Sequence, residues 1–200
     1  MLRALGVCCL LLFVPQTVAA EWHFTPMDGL TFLGNTSLPD LELATDNVHR
    51  NFGGAVSLFG GGLLGVESVF VWTPGFFDDD QAAVQLVESS RSIGWMGNIV
   101  LTAPRRWTEY FLRPFVSGGI GWLHTSTTEI RRNLAPATAN VVGFNIGGGA
   151  IGFFTPRTGV RFDVRYYSNL EPTDDPPAFG DVRLRYMTAS IGIVLRRGFN

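Results

Sequence analysis

Apolar and polar positions alternate along most of the chain beyond residue 20, and the clearest case is the segment Thr158–Ser168. A period of two is typical of a β-strand with two unlike faces. One face holds apolar side chains and the other holds charged ones: Val160, Phe162, Val164 and Tyr166 against Arg161, Asp163 and Arg165. The pattern predicts a strand that lies between an apolar and a polar environment.

Eight extended segments of this kind are predicted, rich in Val, Ile, Phe, Trp and Gly. They are about Trp22–Gly34, Phe52–Gly60, Leu63–Pro74, Ser90–Ala103, Tyr110–Thr127, Asn140–Phe154, Thr158–Asn169 and Asp181–Arg197. No segment shows a clear helical period, and no apolar run long enough for a transmembrane helix follows the N-terminal segment. The sequence therefore predicts an all-β protein.

The connections between these segments alternate in length. Long polar loops follow the odd-numbered segments: Asn35–Asn51, Gly75–Ser89, Thr128–Ala139 and Leu170–Gly180. Short turns follow the even-numbered ones: Gly61–Gly62, Pro104–Glu109 and Thr155–Arg157. An even number of strands with long loops at one end and short turns at the other is typical of an outer-membrane β-barrel. We call these two ends the long-loop end and the short-turn end.

Charged residues divide between the predicted faces and ends. Most acidic residues lie in or beside the long loops, whereas arginines mark the short-turn end: Arg105, Arg106, Arg157, Arg196 and Arg197. Within the strands, one parity carries no charge across the central stretches of the fourth, fifth, sixth and eighth segments. The other parity carries five charges, which we predict to form a structural charge cluster in the lumen: Glu67, Arg113, Arg161, Asp163 and Arg165. The alternative is that they line a conduction path.

A slip of one residue tests this assignment of faces. It would turn Arg161, Asp163 and Arg165 toward lipid, where an Arg costs roughly 2–4 kcal/mol at the membrane midplane. In the lumen the same groups can neutralise one another and Glu67. The apolar parity is therefore predicted to contact lipid.

Aromatic residues fall into two bands, as expected for interfacial girdles. The band at the long-loop end comprises Trp72, Phe76, Phe77, Trp122, Tyr166, Tyr167 and Tyr186. The band at the short-turn end comprises Phe59, Trp107, Tyr110, Phe111, Phe154 and Phe199. The alternative is that these aromatics fill the core of a soluble, lipocalin-like barrel.

The first twenty residues read as a cleavable signal peptide, with Arg3 before an apolar stretch and small residues at Val18–Ala20. Residues 21–200 would then form the mature barrel domain, without the only two cysteines, Cys8 and Cys9. The formal net charge of −2 argues against a nucleic-acid partner. Export is what a barrel in an outer membrane requires.

Four stretches together resemble the small OmpA-like, opacity-type outer-membrane β-barrel proteins. They are "WHFTPMDGL" (Trp22–Leu30), "NFGGAVSLFGGGLLGVESVFVWTPGFF" (Asn51–Phe77), "LRPFVSGGIGWL" (Leu112–Leu123) and "GFNIGGGAIGFFTPRTGVRFDVRYYSNL" (Gly143–Leu170). The resemblance implies an eight-stranded antiparallel up-and-down transmembrane barrel in the outer membrane of a Gram-negative cell, and it implies no single activity. The chain departs from the family pattern at its end, where Arg197 occupies the usual aromatic position and Phe199 follows two residues later.

No catalytic, cofactor or metal site is predicted from the residues. "YYSN" (Tyr166–Asn169) resembles the motif of lipid A deacylases, but Tyr166 replaces the His, so Ser168 lacks a general base. The acidic run Asp78–Asp80 lacks the spacing of a calcium loop. We therefore expect a monomeric, non-enzymatic outer-membrane protein with a structural or surface-display role. Its expected partners are outer-membrane lipid and lipopolysaccharide.

Three alternative functions remain open at this point. The first is a small channel or porin-like transporter of polar solutes. The second is a lipid-modifying outer-membrane enzyme, and the third is a soluble, lipocalin-like binding protein.

Overall fold

A computed structural model shows one closed barrel of eight antiparallel strands, each paired with its neighbours in chain order, with the last paired to the first. The structure describes residues 20–36, 48–60, 63–76, 90–103, 112–127, 138–170 and 184–198. The strands are β1 (Glu21–Thr36), β2 (His49–Phe59), β3 (Leu64–Pro74), β4 (Ser90–Thr102), β5 (Arg113–Thr127), β6 (Thr138–Phe153), β7 (Thr158–Asn169) and β8 (Leu184–Gly198). The predicted fold class is confirmed. No helix in these ranges is long and apolar enough to cross a membrane.

Two predicted strand starts differ from the structure by three residues. β2 begins at His49 and not at Phe52, and β5 begins at Arg113 and not at Tyr110. The predicted start of the eighth strand, Asp181, lies outside the described residues. The run Tyr110–Leu112 is continuously apolar, so the two-faced pattern that the barrel needs starts only at Arg113. The connection from β4 to β5, predicted as a short turn, is therefore as long as the connection from β5 to β6.

The pairing register defines the geometry of the barrel. A path that starts at Glu21 and moves to the paired residue on each successive strand returns to β1 at Thr31, ten residues further along. The barrel thus has a shear of ten, which for eight strands gives a tilt of about 40°. Spread over eight strands, this shear displaces the paired position on each next strand by about 1.25 residues along the barrel axis. A barrel of this size leaves an interior that side chains can fill.

Two apolar clusters occupy the lumen at different heights. The long-loop core comprises Met27, Ala55, Val69, Val71, Phe76, Met96, Leu123, Val141, Tyr167, Leu184 and Tyr186. The short-turn core comprises Phe59, Val100, Phe115, Ile151 and Val194, with Phe153 packed against it. A layer of charged side chains lies between the two cores and includes Glu67 and Arg161.

The outer wall is apolar, as the alternation predicts. Ile99, Ile120 and Ile146 are each more than 60% exposed, and Phe162 and Val164 on β7 are exposed as well. The charged positions Arg161, Asp163 and Arg165 are buried inside the barrel. One ion pair lies on the outer wall, where Arg50 Nε and Nη2 donate to the two oxygens of Asp28 at 3.0 and 2.9 Å.

Part of the predicted aromatic banding is wrong. Phe59, Phe76, Tyr167 and Tyr186 are each 1% exposed and fill the lumen. Phe59, Tyr167 and Tyr186 have the inward parity of their strands. Phe76 follows the end of β3 and contacts Tyr186 at the barrel mouth, with ring centroids 5.4 Å apart. Phe77, Trp107, Tyr110, Phe111 and Phe199 lie outside the described residues.

An outward aromatic belt nevertheless exists near the long-loop end. Its members are Phe52, Trp72, Trp95, Trp122, Phe144 and Tyr166. Trp95 and Trp122 are direct cross-strand partners, and Phe52 and Trp72 are another such pair. When the displacement of about 1.25 residues per strand is taken into account, the six positions lie within about two residues of the same height along the barrel axis. The belt therefore encircles most of the barrel at a single level.

Candidate functional site

The predicted charge cluster occupies the middle of the lumen. Glu67 of β3 receives hydrogen bonds from Arg161 Nη1 and, at 2.6 Å, from Arg165 Nη2. Asp163 lies between these arginines along β7 and accepts from Arg161 Nη2 at 2.5 Å and from Arg165 Nε at 2.7 Å. Two guanidinium groups thus face two carboxylates, and the four-residue network is neutral.

Neutral polar side chains extend this network around the wall. Ser57 Oγ donates to Glu67 Oε2 at 2.8 Å, and Asn145 Oδ1 accepts from Arg165 Nη1 at 3.1 Å. Asn145 Nδ2 in turn donates to Asn98 Oδ1 at 2.6 Å. The hydrogen bonds therefore tie together β2, β3, β4, β6 and β7. Burial of charge is tolerated where the charges are paired and hydrogen-bonded in this way.

Small residues of β6 make room for the guanidinium groups. Gly147 and Gly149 are the cross-strand partners of Arg165 and Asp163. A Cβ atom at Gly147 would lie 2.5 Å from Arg165 Cγ. The glycine-rich stretch of β6 is therefore a packing requirement of the charge network and offers no phosphate-binding loop.

The fifth predicted member, Arg113, lies apart from these four. Its Nε donates to the backbone oxygen of Ala103 at 2.7 Å, and its guanidinium lies 5.5 Å from the centroid of the Phe59 ring. Arg113 is the first residue of β5, at the short-turn end, so its side chain contacts the short-turn core. The predicted five-residue cluster is thus a four-residue network with one separate arginine.

Both apolar cores close the described lumen around the network. The side chains of Glu67, Arg161, Asp163 and Arg165 are each at most 3% exposed. Arg161 packs 4.4 Å from the centroid of Phe115 in the short-turn core, and Tyr167 of the long-loop core follows Arg165 by two residues. Within the described residues, a solute that reached these charges would have to displace packed aromatic side chains.

His23 lies below the network at the short-turn end. Its Nε2 is 3.4 Å from Glu21 Oε2, and its ring contacts Phe59 and Phe153 with centroids 4.8 and 5.4 Å away. The Nδ1 atom is buried with no hydrogen-bond partner in the structure. In the described part of the chain, no group of three His, Cys, Asp or Glu could hold a metal ion. Asp78–Asp80 lies outside that part.

The "YYSN" stretch forms the end of β7. Tyr166 faces outward against Phe144, and Ser168 Oγ donates to the backbone oxygen of Asn169 at 3.2 Å. Ser168 is paired with Phe144 on β6 and with Arg185 on β8, so neither cross-strand partner is an imidazole.

A group of polar residues on the outer wall was not predicted from the sequence, and it comprises His124, Ser126 and Asn140. His124 of β5 and Asn140 of β6 are direct cross-strand partners, and His124 Nδ1 lies 2.7 Å from Asn140 Oδ1. Ser126 follows two positions after His124 on the same outward face, and its partner on β4 is Arg91. The spacing of His124 and Ser126 is visible in the sequence, but Asn140 joins them only through the strand register.

Comparison with solved structures gives the class of this fold. Neisserial surface protein A matches with a TM-score of 0.54 and 11% identity, over 90% of this chain and 99% of that chain. Ail, the attachment invasion locus protein of Yersinia pestis, solved in complex with a heparin analogue, matches with a TM-score of 0.53 and 13% identity, over 90% and 100%. A major outer membrane protein from Thermus thermophilus gives the same values.

These identities establish a shared fold and nothing finer. The chain has the eight-stranded barrel fold of small outer-membrane proteins. No family model matches it, and no curated protein matches it.

Proposed function

We propose that this chain is a monomeric outer-membrane barrel with a sealed lumen, which stabilises the membrane or displays its long loops outside the cell. The observation that carries the proposal is the neutral network of Glu67, Arg161, Asp163 and Arg165, held between two apolar cores. Such a filled interior suits a role carried out by the outer wall and the loops.

The outer wall supports a membrane environment. Its exposed side chains are mostly aliphatic, and the aromatic belt lies near one end, as in proteins that contact both hydrocarbon and headgroups. A soluble barrel would expose this apolar wall to water at a large free-energy cost. The named structural neighbours are surface or outer-membrane proteins, which favours the same environment.

The lumen supports a structural role over transport. Eight-stranded barrels have little interior space beyond their own side chains. Here the polar layer is covered on both sides, by Phe115 and Val100 toward the short-turn end and by Met96 and Tyr167 toward the long-loop end. A conduction path through these residues would need both cores to open.

Fractionation combined with surface proteolysis tests the location and orientation. We expect the protein in the outer-membrane fraction, with heat-modifiable mobility on detergent gels and with cleavage of the long loops from outside intact cells. Recovery in the soluble periplasmic fraction would contradict the membrane assignment. Cleavage only from the periplasmic side would reverse the orientation.

Conductance measurements test the sealed lumen. We expect purified full-length protein in planar bilayers to give no single-channel steps, while an open porin reconstituted in parallel serves as the positive control. Reproducible steps from the folded, heat-modifiable form would overturn the sealed-lumen proposal in favour of a channel.

A further inference from the structure

An outward-facing polar group lies on β5 and β6 at the long-loop end. His124 and Ser126 alternate with inward residues on β5, so both face out, and Asn140 is opposite His124 on β6. Trp122 of the aromatic belt precedes His124 on the same face, and the two rings stack with centroids 5.3 Å apart. The group therefore lies just beyond the belt, at the level of lipid headgroups.

The hydrogen bond between His124 and Asn140 selects one imidazole tautomer. Asn140 Oδ1 can only accept, so His124 Nδ1 donates across the 2.7 Å contact. The Nε2 atom then carries a lone pair and is available as a base. An amide can orient and hold a catalytic imidazole in this way, as the asparagine does in Cys-His-Asn enzymes.

Ser126 supplies a hydroxyl next to this base. Two residues on the same face of a strand have Cα atoms about 7 Å apart. No hydrogen bond in the described residues joins Ser126 Oγ to His124, so a hydrolytic role requires the Ser126 hydroxyl to turn toward the imidazole when substrate binds. Arg91 is the cross-strand partner of Ser126 and is exposed, so a positive charge lies beside the serine.

We propose that Ser126, His124 and Asn140 form a hydrolytic site for acyl esters of membrane lipids. Ser126 Oγ attacks the ester carbonyl carbon while His124 Nε2 accepts its proton. The ester C–O bond breaks, and His124 returns the proton to the leaving alcohol oxygen. Water then attacks the acyl-serine, again giving its proton to His124, and the fatty acid leaves as Ser126 regains that proton. Arg91 stabilises the oxyanion formed in both steps.

The position of the group on the barrel identifies the substrate class. The ester bonds of a membrane lipid lie between its headgroup and its acyl chains, which is the depth that Trp and Tyr side chains prefer. Trp122 contacts His124 directly, so the site opens onto that layer and not into the lumen. The activity is independent of the sealed lumen, and it replaces the expectation that the protein is not an enzyme.

Full-length protein in detergent micelles gives the first test. We expect a fluorophosphonate probe to label Ser126, as mapped by mass spectrometry of the tryptic peptides. We also expect release of fatty acid from phosphatidylethanolamine in mixed micelles, and a loss of this release by about 100-fold or more in S126A and in H124A. Ser68→Ala is the matched control, because Ser68 is also an exposed, outward-facing serine but has no histidine beside it, and it should keep wild-type activity.

Asn140 is a positioning residue, and its variants separate orientation from folding. N140A should lower kcat about 100-fold with little change in KM, whereas N140D should restore most of kcat because a carboxylate can accept the same hydrogen bond. Heat-modifiable mobility confirms that each variant is folded. The proposal is overturned if folded wild-type protein is neither labelled nor active, if S126A retains activity, or if only soluble p-nitrophenyl butyrate is cleaved.

Discussion

Arg165 of β7 and Glu67 of β3 meet across the lumen, with Arg165 Nη2 and Glu67 Oε1 2.6 Å apart. Both side chains are almost fully buried, and the two strands are four apart around the barrel. The contact therefore stabilises the closed barrel in a way that neighbouring strands alone cannot.

Glu67→Gln should be strongly destabilising. The substitution leaves Arg161 and Arg165 with one buried carboxylate, Asp163, so one positive charge lacks compensation. Breaking a buried ion pair costs about 3–5 kcal/mol. Unfolding by guanidinium in detergent micelles, followed by tryptophan fluorescence, measures the loss.

The double variant Glu67→Gln/Arg165→Gln restores neutrality and is the matched control. Its loss in free energy of unfolding should be smaller than the sum of the losses in Glu67→Gln and Arg165→Gln, because removing both partners leaves no uncompensated charge. Additive losses would show that Glu67 and Arg165 are not energetically coupled.

Gly147→Ala should destabilise the barrel, because its new Cβ would lie 2.5 Å from Arg165 Cγ and 2.5 Å from the backbone oxygen of Val164. Overpacking of this kind costs about 1–3 kcal/mol. Gly97→Ala is the control, since a Cβ there has its nearest atom 3.9 Å away. Equal stability of the two variants in the same unfolding assay would contradict the packing of β6 against the network.

Arginine substitutions on the outer wall should depend on depth. Val164→Arg places a charge on the exposed face halfway along β7 and should cost about 2–4 kcal/mol in a bilayer. Leu195→Arg, near the short-turn end of β8, should cost about 0–1 kcal/mol. Reversible unfolding in phospholipid vesicles compares them. Losses that are small and equal would indicate a wall exposed to water.

Single-tryptophan variants should report one depth for the aromatic belt. Proteins that retain only Trp72, only Trp95 or only Trp122 should show the same quenching profile with lipids brominated at successive acyl positions. The reason is that the register places all three at nearly one height. Clearly different depths would contradict the shear that the register defines.

Alternation alone predicts the faces of the strands, because a slip of one residue would expose Arg161, Asp163 and Arg165 together. Alternation does not predict how far along the barrel axis each residue lies, because that position depends on the shear of the closed barrel. Parity separates Tyr166, which faces outward, from Tyr167, which joins the long-loop core, so a band drawn from sequence position alone wrongly groups the two residues. Phe76 could not be assigned, because it enters the barrel mouth from beyond a strand.

The partners within the candidate sites depend on register in the same way. Arg113 has the parity of the charge network but begins its strand at the short-turn end, so shared parity was not enough to place it in the network. His124 and Asn140 are sixteen positions apart in the sequence and became partners only when β5 and β6 were paired.

The charge network also constrains the order of assembly. β7 carries two arginines and one aspartate inward, so its hairpin with β6 has an uncompensated positive charge until Glu67 arrives from β3. In the membrane that we propose for this protein, a partly inserted sheet would hold that charge in an unclosed interior, at a cost of several kcal/mol. In that environment the cost would favour strands that enter together over hairpins that enter one at a time, so that burial of the two arginines would be coupled to closure of the barrel.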